Sequence, residues 1–134
     1  MKAQTSLEII MILALMLTVF LAIIVSNSGV MSTLSARLNE DKARVALDQM
    51  ADAATSVYEQ GSGAKTRVYV SLPSSVFNSS VANETLVLSV YTSGDNAQDV
   101  YRLLGINVSG TIPNASGNYW VNAESFEHYV NMSY

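Results

Sequence analysis

The chain has 134 residues, a net charge of −4 and no cysteine. Its length allows one globular domain at most, and its negative charge argues against nucleic acid as a partner. The absence of cysteine excludes disulfides, thiol chemistry and cysteine-ligated metal sites. No charged residue lies between Glu8 and Arg37, so an apolar front part precedes a more polar remainder.

The front part is long enough to cross a membrane. Residues 9–25 are apolar except for Thr18, and with the small residues up to Val30 the segment exceeds 20 residues. A helix of about 20 apolar residues spans a bilayer core of roughly 30 Å. Three interpretations compete: a cleaved secretory signal, a stable anchor and a buried helix of a soluble bundle. Only Lys2 precedes the apolar core, and helix-compatible sequence follows it, which argues against a secretory signal. The rest of the chain is too small to surround a buried helix, so we expect a retained membrane helix.

Glu8 stands at the edge of this segment, where a carboxylate close to hydrocarbon costs on the order of a few kcal/mol. One explanation is that Glu8 lies in the headgroup zone and helps to start the helix. Thr5 or Ser6 would then be the N-cap, and the carboxylate would complement the helix dipole. The residues in front of Glu8 indicate a second explanation.

The stretch from Lys2 to Glu8, followed by an apolar run, resembles the class III signal peptide of archaeal type IV pilin-like proteins. Gln4, Ser6 and Glu8 match the Q-x-S-x-E pattern of that family. The resemblance covers residues 1–30 in sequence and is architectural beyond them. It implies that a prepilin-type peptidase cleaves between Ala3 and Gln4 and that the apolar segment stays in the mature chain.

The resemblance also implies that the apolar segment occupies two environments in turn. Before assembly the segment is a membrane helix, and the pilus assembly machinery then packs many copies at the centre of a filament. A carboxylate buried there needs a partner. The amine that cleavage exposes on Gln4, in the same or a neighbouring subunit, is the available cation, and Glu8 would set the register of assembly. The expected filament-core residues are Ile9, Ile10, Ile12, Leu13, Leu15, Leu17, Phe20, Leu21 and Ile24.

A single helix is predicted for residues 5–60, because no proline precedes Pro73. Glu40 and Arg44 form an i,i+4 pair in the favourable order. Residues 26–29 are the weakest point of the helix, and the sequence leaves open whether it bends or melts there; residues 61–63 (Gly-Ser-Gly) end the helix. In its second half, apolar residues at steps of three or four predict a stripe that packs on a C-terminal domain: Leu34, Leu38, Ala43, Leu47, Met50, Ala54 and Val57.

The C-terminal part has the alternation and composition of β-strands. Strands are predicted at residues 66–72, 85–92, 100–108, 119–122 and 128–132, with turns at 93–96, 109–110 and 113–117. We expect an antiparallel sheet of four or five strands on the second half of the helix, which makes the fold class α+β. The predicted organisation is a leader (1–3), an apolar helix (4–30), an amphipathic continuation (31–60) and a β-rich extracellular head (61–134).

Acceptor sequences for N-glycosylation are concentrated in the head. The composition predicts about two N-x-S/T sequences by chance, and five are present. A head rich in serine and asparagine forms such sequences freely, whereas a glycosylated extracellular surface accounts for their number. The family resemblance supports the second interpretation, because archaeal pilins are often glycosylated. The candidate acceptors are Asn78, Asn83, Asn107, Asn114 and Asn131.

No enzyme site, cofactor or metal site is predicted. His128 is the only histidine, so neither a catalytic triad nor a transition-metal cluster is supported. Asp95 and Asp99 suggest a calcium loop, but the glutamate at its twelfth position is missing. Trp120 with Tyr119, Tyr129 and Tyr134 forms either an adhesive aromatic patch or, as we favour, ordinary core and sheet packing.

Together these features predict a structural subunit of an archaeal type IV-like pilus. The apolar helix would form a homopolymer, and the product would be an extracellular adhesive filament whose precursor lies in the cytoplasmic membrane. Two alternatives remain: a minor pilin or a related secretion or archaellum component, and a single-pass surface protein that never polymerises.

Overall fold

A computed structural model describes residues 2–92 and 96–134, with side chains from residue 6 onward in the first helix. One α-helix, α1 (Lys2–Gln60), is followed only by strands. The chain forms two compact units, Met1–Ser35 and Ala36–Tyr134. The first unit is helical throughout its described residues, and the second contains the rest of α1 together with all the strands.

The helix continues through residues 26–29, where the sequence left a bend or local melting open. Ser28 donates a hydrogen bond from its Oγ to the carbonyl oxygen of Val25 at 2.7 Å. Such a bond satisfies the hydroxyl within the helix, and the backbone is helical across the segment. Local melting at this point is therefore not observed, and the low helix propensity of the segment does not interrupt α1.

Glycine ends the helix at the predicted place. Gly61 has a φ of +96°, a conformation that side-chain-bearing residues rarely adopt. Its N–H donates to the carbonyl oxygen of Tyr58 at 3.1 Å, and the N–H of Gly63 donates to that of Ser125 at 2.8 Å. The second bond connects the helix end to the β-sheet, so the direction in which the chain leaves α1 is set by backbone hydrogen bonds.

Seven strands follow in two sheets. The first sheet has the order β1-β6-β7-β5 and the second has the order β2-β3-β4. All pairs are antiparallel except β5 with β7, which are parallel. The strands are β1 (Lys65–Leu72), β2 (Val76–Ala82), β3 (Thr85–Tyr91), β4 (Ala97–Leu103), β5 (Val108–Gly110), β6 (Gly117–Ser125) and β7 (Val130–Ser133).

The α+β class is confirmed, while the predicted single sheet of four or five strands is wrong. The candidate strand at residues 100–108 contains the end of β4 and the start of β5, separated at Gly105, whose φ is +73°. The predicted turn at 109–110 lies inside β5. Strand β2 was missed because its serine-rich sequence lacks a clear apolar alternation.

One buried cluster unites the second half of α1 with both sheets. Its helical members are Ala43, Ala46, Leu47, Met50, Ala51, Ala54 and Val57, and its strand members include Val70, Leu86, Leu88, Val90, Val121, Val130 and Met132. The ion pair predicted between Arg44 and Glu40 is present at 3.0 Å on the polar side of the helix. The helical stripe from Ala43 to Val57 is thus confirmed.

The prediction is wrong for the N-terminal end of the stripe, which is not buried. Leu34 is 49% exposed and Leu38 is 51% exposed, whereas Ala43 is fully buried. Helical periodicity shows which face of a helix is apolar, but not how far along the axis the sheets extend. The strands cover about the last five turns of α1, so burial begins only at Ala43.

Candidate functional site

The apolar segment in the first unit is the most unusual surface of the protein. Every large apolar side chain at residues 9–25 is between 51% and 71% exposed. A helix that is apolar on all sides is not stable in water and must be covered by lipid or by other protein. The segment is long and apolar enough to cross a membrane, so α1 is compatible with membrane anchoring.

The predicted filament-core residues all lie on this surface. They occupy positions around roughly two thirds of the circumference of α1. The set comprises Ile9, Ile10, Ile12, Leu13, Leu15, Leu17, Phe20, Leu21 and Ile24, each more than half exposed. Within the first unit these side chains are therefore uncovered.

Hydroxyl groups in and after the segment are hydrogen-bonded within the helix. Thr18 Oγ1 donates to the carbonyl oxygen of Ala14 at 2.8 Å, and Ser28 Oγ donates to that of Val25 at 2.7 Å. An unpaired hydroxyl costs several kcal/mol on transfer to hydrocarbon, on the order of 4–8 kcal/mol in cyclohexane. Because these two hydroxyls already have acceptors, they are tolerated in apolar surroundings.

Glu8 lies on the exposed surface of α1, immediately before the apolar segment. Among the side chains that the structure describes, no cation forms an ion pair with it. The side chains of Ala3 and Gln4, at the predicted cleavage site, are outside the described set. Cleavage and the pairing of Glu8 with the Gln4 amine therefore stay predictions.

Four of the five candidate glycosylation sites are exposed. Asn78 lies on β2, Asn83 in the turn between β2 and β3, and Asn107 and Asn114 in loops. Asn131 differs, because it is half-buried on β7 and has register partners on both β5 and β6. The backbone of Asn131 is therefore held between two strands, a poor position for attachment of a glycan to the folded chain.

The remaining polar candidates do not converge on one site. His128 is exposed in the bend before β7. Asp99 accepts a hydrogen bond from Ser89 Oγ at 2.6 Å, and Asp95, its predicted partner in a calcium loop, lies outside the described residues. Across residues 2–92 and 96–134, no group of three or more candidate metal-binding side chains is present.

The four aromatic residues considered together in the sequence do not form one patch. Trp120 and Tyr119 are adjacent on β6 and therefore point to opposite faces of the sheet. Tyr119 packs edge-on against Tyr134 with ring centroids 5.8 Å apart. Trp120 instead packs on Tyr69, its register partner on β1, with ring centroids 4.9 Å apart. Sheet pairing is confirmed for Trp120, although the ring remains 49% exposed.

Sequence reasoning missed the neighbours of Trp120. The alternation of residues 66–72 places Arg67 and Tyr69 on one face of β1, but the pairing of β1 with β6 cannot be deduced from either strand alone.

Comparison of the chain with protein-family models, with curated proteins and with solved structures gives no match.

Proposed function

We propose that this chain is the structural subunit of an archaeal type IV-like pilus. The observation that carries the proposal is an exposed helical segment, apolar except for Thr18, that follows directly after the Q-x-S-x-E pattern at Gln4, Ser6 and Glu8. A membrane covers such a helix in the precursor, and packing among many copies covers it in a filament. The compact second unit then supplies the surface of the filament.

The role of Glu8 follows from its place beside the apolar segment. In a filament core, burial of a carboxylate without a partner is strongly unfavourable. A cation paired with the carboxylate offsets this desolvation cost. The amine of a chain that begins at Gln4 supplies the cation only after cleavage. Processing and assembly are therefore coupled: an unprocessed chain remains in the membrane, and a processed chain assembles in one register.

Glycosylation at exposed asparagines is part of the same proposal. Glycans on Asn78, on edge strand β2, would oppose edge-to-edge pairing of sheets. They would also protect a head that contains no disulfide. The proposed location is an extracellular adhesive filament, with the precursor in the cytoplasmic membrane.

N-terminal sequencing of the chain purified from filaments tests the proposal. A mature chain that begins at Gln4, recovered from filaments seen by electron microscopy, is expected. A chain that retains Met1 or Lys2 and stays in the membrane fraction contradicts it. That result would support the alternative of a single-pass surface protein, which the same apolar helix also fits.

A further inference from the structure

The outer face of the four-stranded sheet carries a distinctive set of side chains. Alternate residues of β1 and β6 point into the core, as Val70 and Val121 do with no exposure. The intervening residues point outward, and the register places them in facing pairs: Lys65 with Glu124, Arg67 with Asn122, Tyr69 with Trp120, and Ser71 with Asn118. We call this surface, with Asn131 and Ser133 of β7, the outer face.

Two aromatic rings on the outer face remain open to solvent. Tyr69 and Trp120 are each 49% exposed, and their planes are tilted by 55°. A ligand that buries the remaining surface of Trp120 and Tyr69 would gain binding free energy, since aromatic rings contribute large apolar areas. Their rings thus form an exposed aromatic platform near the middle of the two strands.

The guanidinium of Arg67 lies over the ring of Trp120, and its charge remains available. Its guanidinium carbon lies 4.8 Å from the centroid of the Trp120 ring, which orients the side chain by a cation–π contact. No carboxylate pairs with Arg67 among the residues that the structure describes. A planar guanidinium held in this way can still bind a carboxylate through two parallel hydrogen bonds.

A cleft continues from Arg67 along the strands. It has a volume of about 450 Å³, within the range of small-ligand sites. Lys65 Nζ and Glu124 Oε1 form an ion pair of 2.9 Å in its lining, where amide and hydroxyl groups add donors and acceptors. The lining residues are Lys65, Thr66, Arg67, Asn122, Ala123, Glu124, Asn131 and Ser133.

The combination of platform and cleft matches the chemistry of a sugar. A pyranose ring has an apolar face of C–H groups that packs on an aromatic ring, and a rim of hydroxyls that needs amides and charged groups. Arg67 and Asn122 are two residues along their strands from the aromatic pair, a step of about 7 Å. A second sugar unit therefore reaches the cleft when the first one lies on Trp120.

The charge of the cleft selects among sugars. Two cations, Lys65 and Arg67, face one carboxylate, Glu124, although the whole chain carries a net charge of −4. We propose that the outer face binds an acidic saccharide. One sugar ring packs against the exposed parts of Trp120 and Tyr69, and a uronic carboxylate of the ligand pairs with Arg67. This site belongs to the second unit alone, so it does not depend on polymerisation.

Fluorescence gives a direct test, because Trp120 is the only tryptophan. The full chain, solubilised in detergent and free of attached glycan, is titrated with trigalacturonate. Cellotriose serves as the neutral sugar, and sodium acetate at the same carboxylate concentration serves as the anion control. A saturable change in Trp120 emission is expected with trigalacturonate at the lowest concentrations, a weaker one with cellotriose and none with acetate.

Variants assign the two parts of the site. Arg67→Gln is expected to weaken trigalacturonate binding at least tenfold and to bring it to the level of cellotriose. Tyr69→Ala is expected to weaken binding of both sugars, by about fivefold. Matched controls are Arg37→Gln on α1 and Tyr101→Ala on β4, whose ring is 71% exposed on the other sheet. Unchanged thermal unfolding of each variant shows that the sheet is intact.

Several results would overturn the proposal. They are an absence of saturable binding, equal affinity for the two sugars, an acetate response equal to that of trigalacturonate, and equal losses in the control variants. A change in Trp120 emission on raising the protein concentration alone would place a second copy of the chain on the outer face and would also overturn it.

Discussion

Two leucines on the same helix give a sharp test of how α1 is used in the second unit. Leu38 and Leu47 both belong to the apolar stripe predicted from the sequence, yet Leu47 is fully buried and Leu38 is 51% exposed. Leu47 lies in the buried cluster with Leu86 and Leu88 of β3. Replacing each leucine by alanine removes the same atoms from two different environments.

The expected magnitudes differ several-fold. Leu47→Ala removes buried methyl groups and leaves a cavity, which costs about 3 kcal/mol of unfolding free energy. For a unit of roughly 100 residues this lowers the melting temperature by about 12–24 °C. Leu38→Ala should change the unfolding free energy by less than about 0.5 kcal/mol, because an exposed leucine has little burial to lose and alanine favours the helix.

Fluorescence of Trp120 during thermal or urea unfolding in detergent reports on unfolding of the sheet, because the apolar helix contains no tryptophan. Leu47→Ala should shift the unfolding transition strongly, and the unfolding curve of Leu38→Ala should superpose on that of the parent chain. Equal destabilisation by the two changes would refute the assignment of the helix face and of the point at which its burial begins. A small effect of Leu47→Ala alone would mean that the cluster is not packed as described.

Further predictions concern assembly, modification and the sheet. Glu8→Gln should abolish filaments in electron micrographs while membrane insertion persists, because no carboxylate is left to pair with the new amine; filaments as abundant as those of the parent would contradict this. Mass spectrometry of glycopeptides should find Asn114 modified and Asn131 unmodified, since Asn114 lies on an exposed loop and Asn131 is half-buried on a strand; full occupancy of Asn131 would contradict this. Gly110→Ala should lower the free energy of unfolding in urea by about 3 kcal/mol, because its Cβ would overlap a backbone carbonyl of β7. Gly105→Ala should cost only about 1 kcal/mol, because a positive φ is its sole obstacle and no atom lies within 4 Å; equal costs would contradict this distinction.

Several features of the second unit were foreseeable because they depend on neighbours in sequence. The C-terminal end of α1, the Glu40–Arg44 pair and the cores of β1 and β3 follow from glycine, i,i+4 spacing and alternation. Strand β2 was not foreseeable, since its buried side is defined by pairing with β3 and by a register shift between Val76 and Asn78. The parallel pair of β5 and β7 was equally hidden, because it joins segments distant in the chain.

The candidate sites divide in the same way. A single stretch of chain is enough to identify the apolar segment, the position of Glu8 at its edge and the five candidate asparagine acceptors, because these features depend on local composition and spacing. The folded chain was needed to show that Asn131 is held between two strands and that Leu38 lies beyond the sheets. It was also needed to show that Arg67, Tyr69 and Trp120 meet on one face. The physical reason is that a strand fixes the direction of its own side chains, whereas their partners are set by register between segments that fold together.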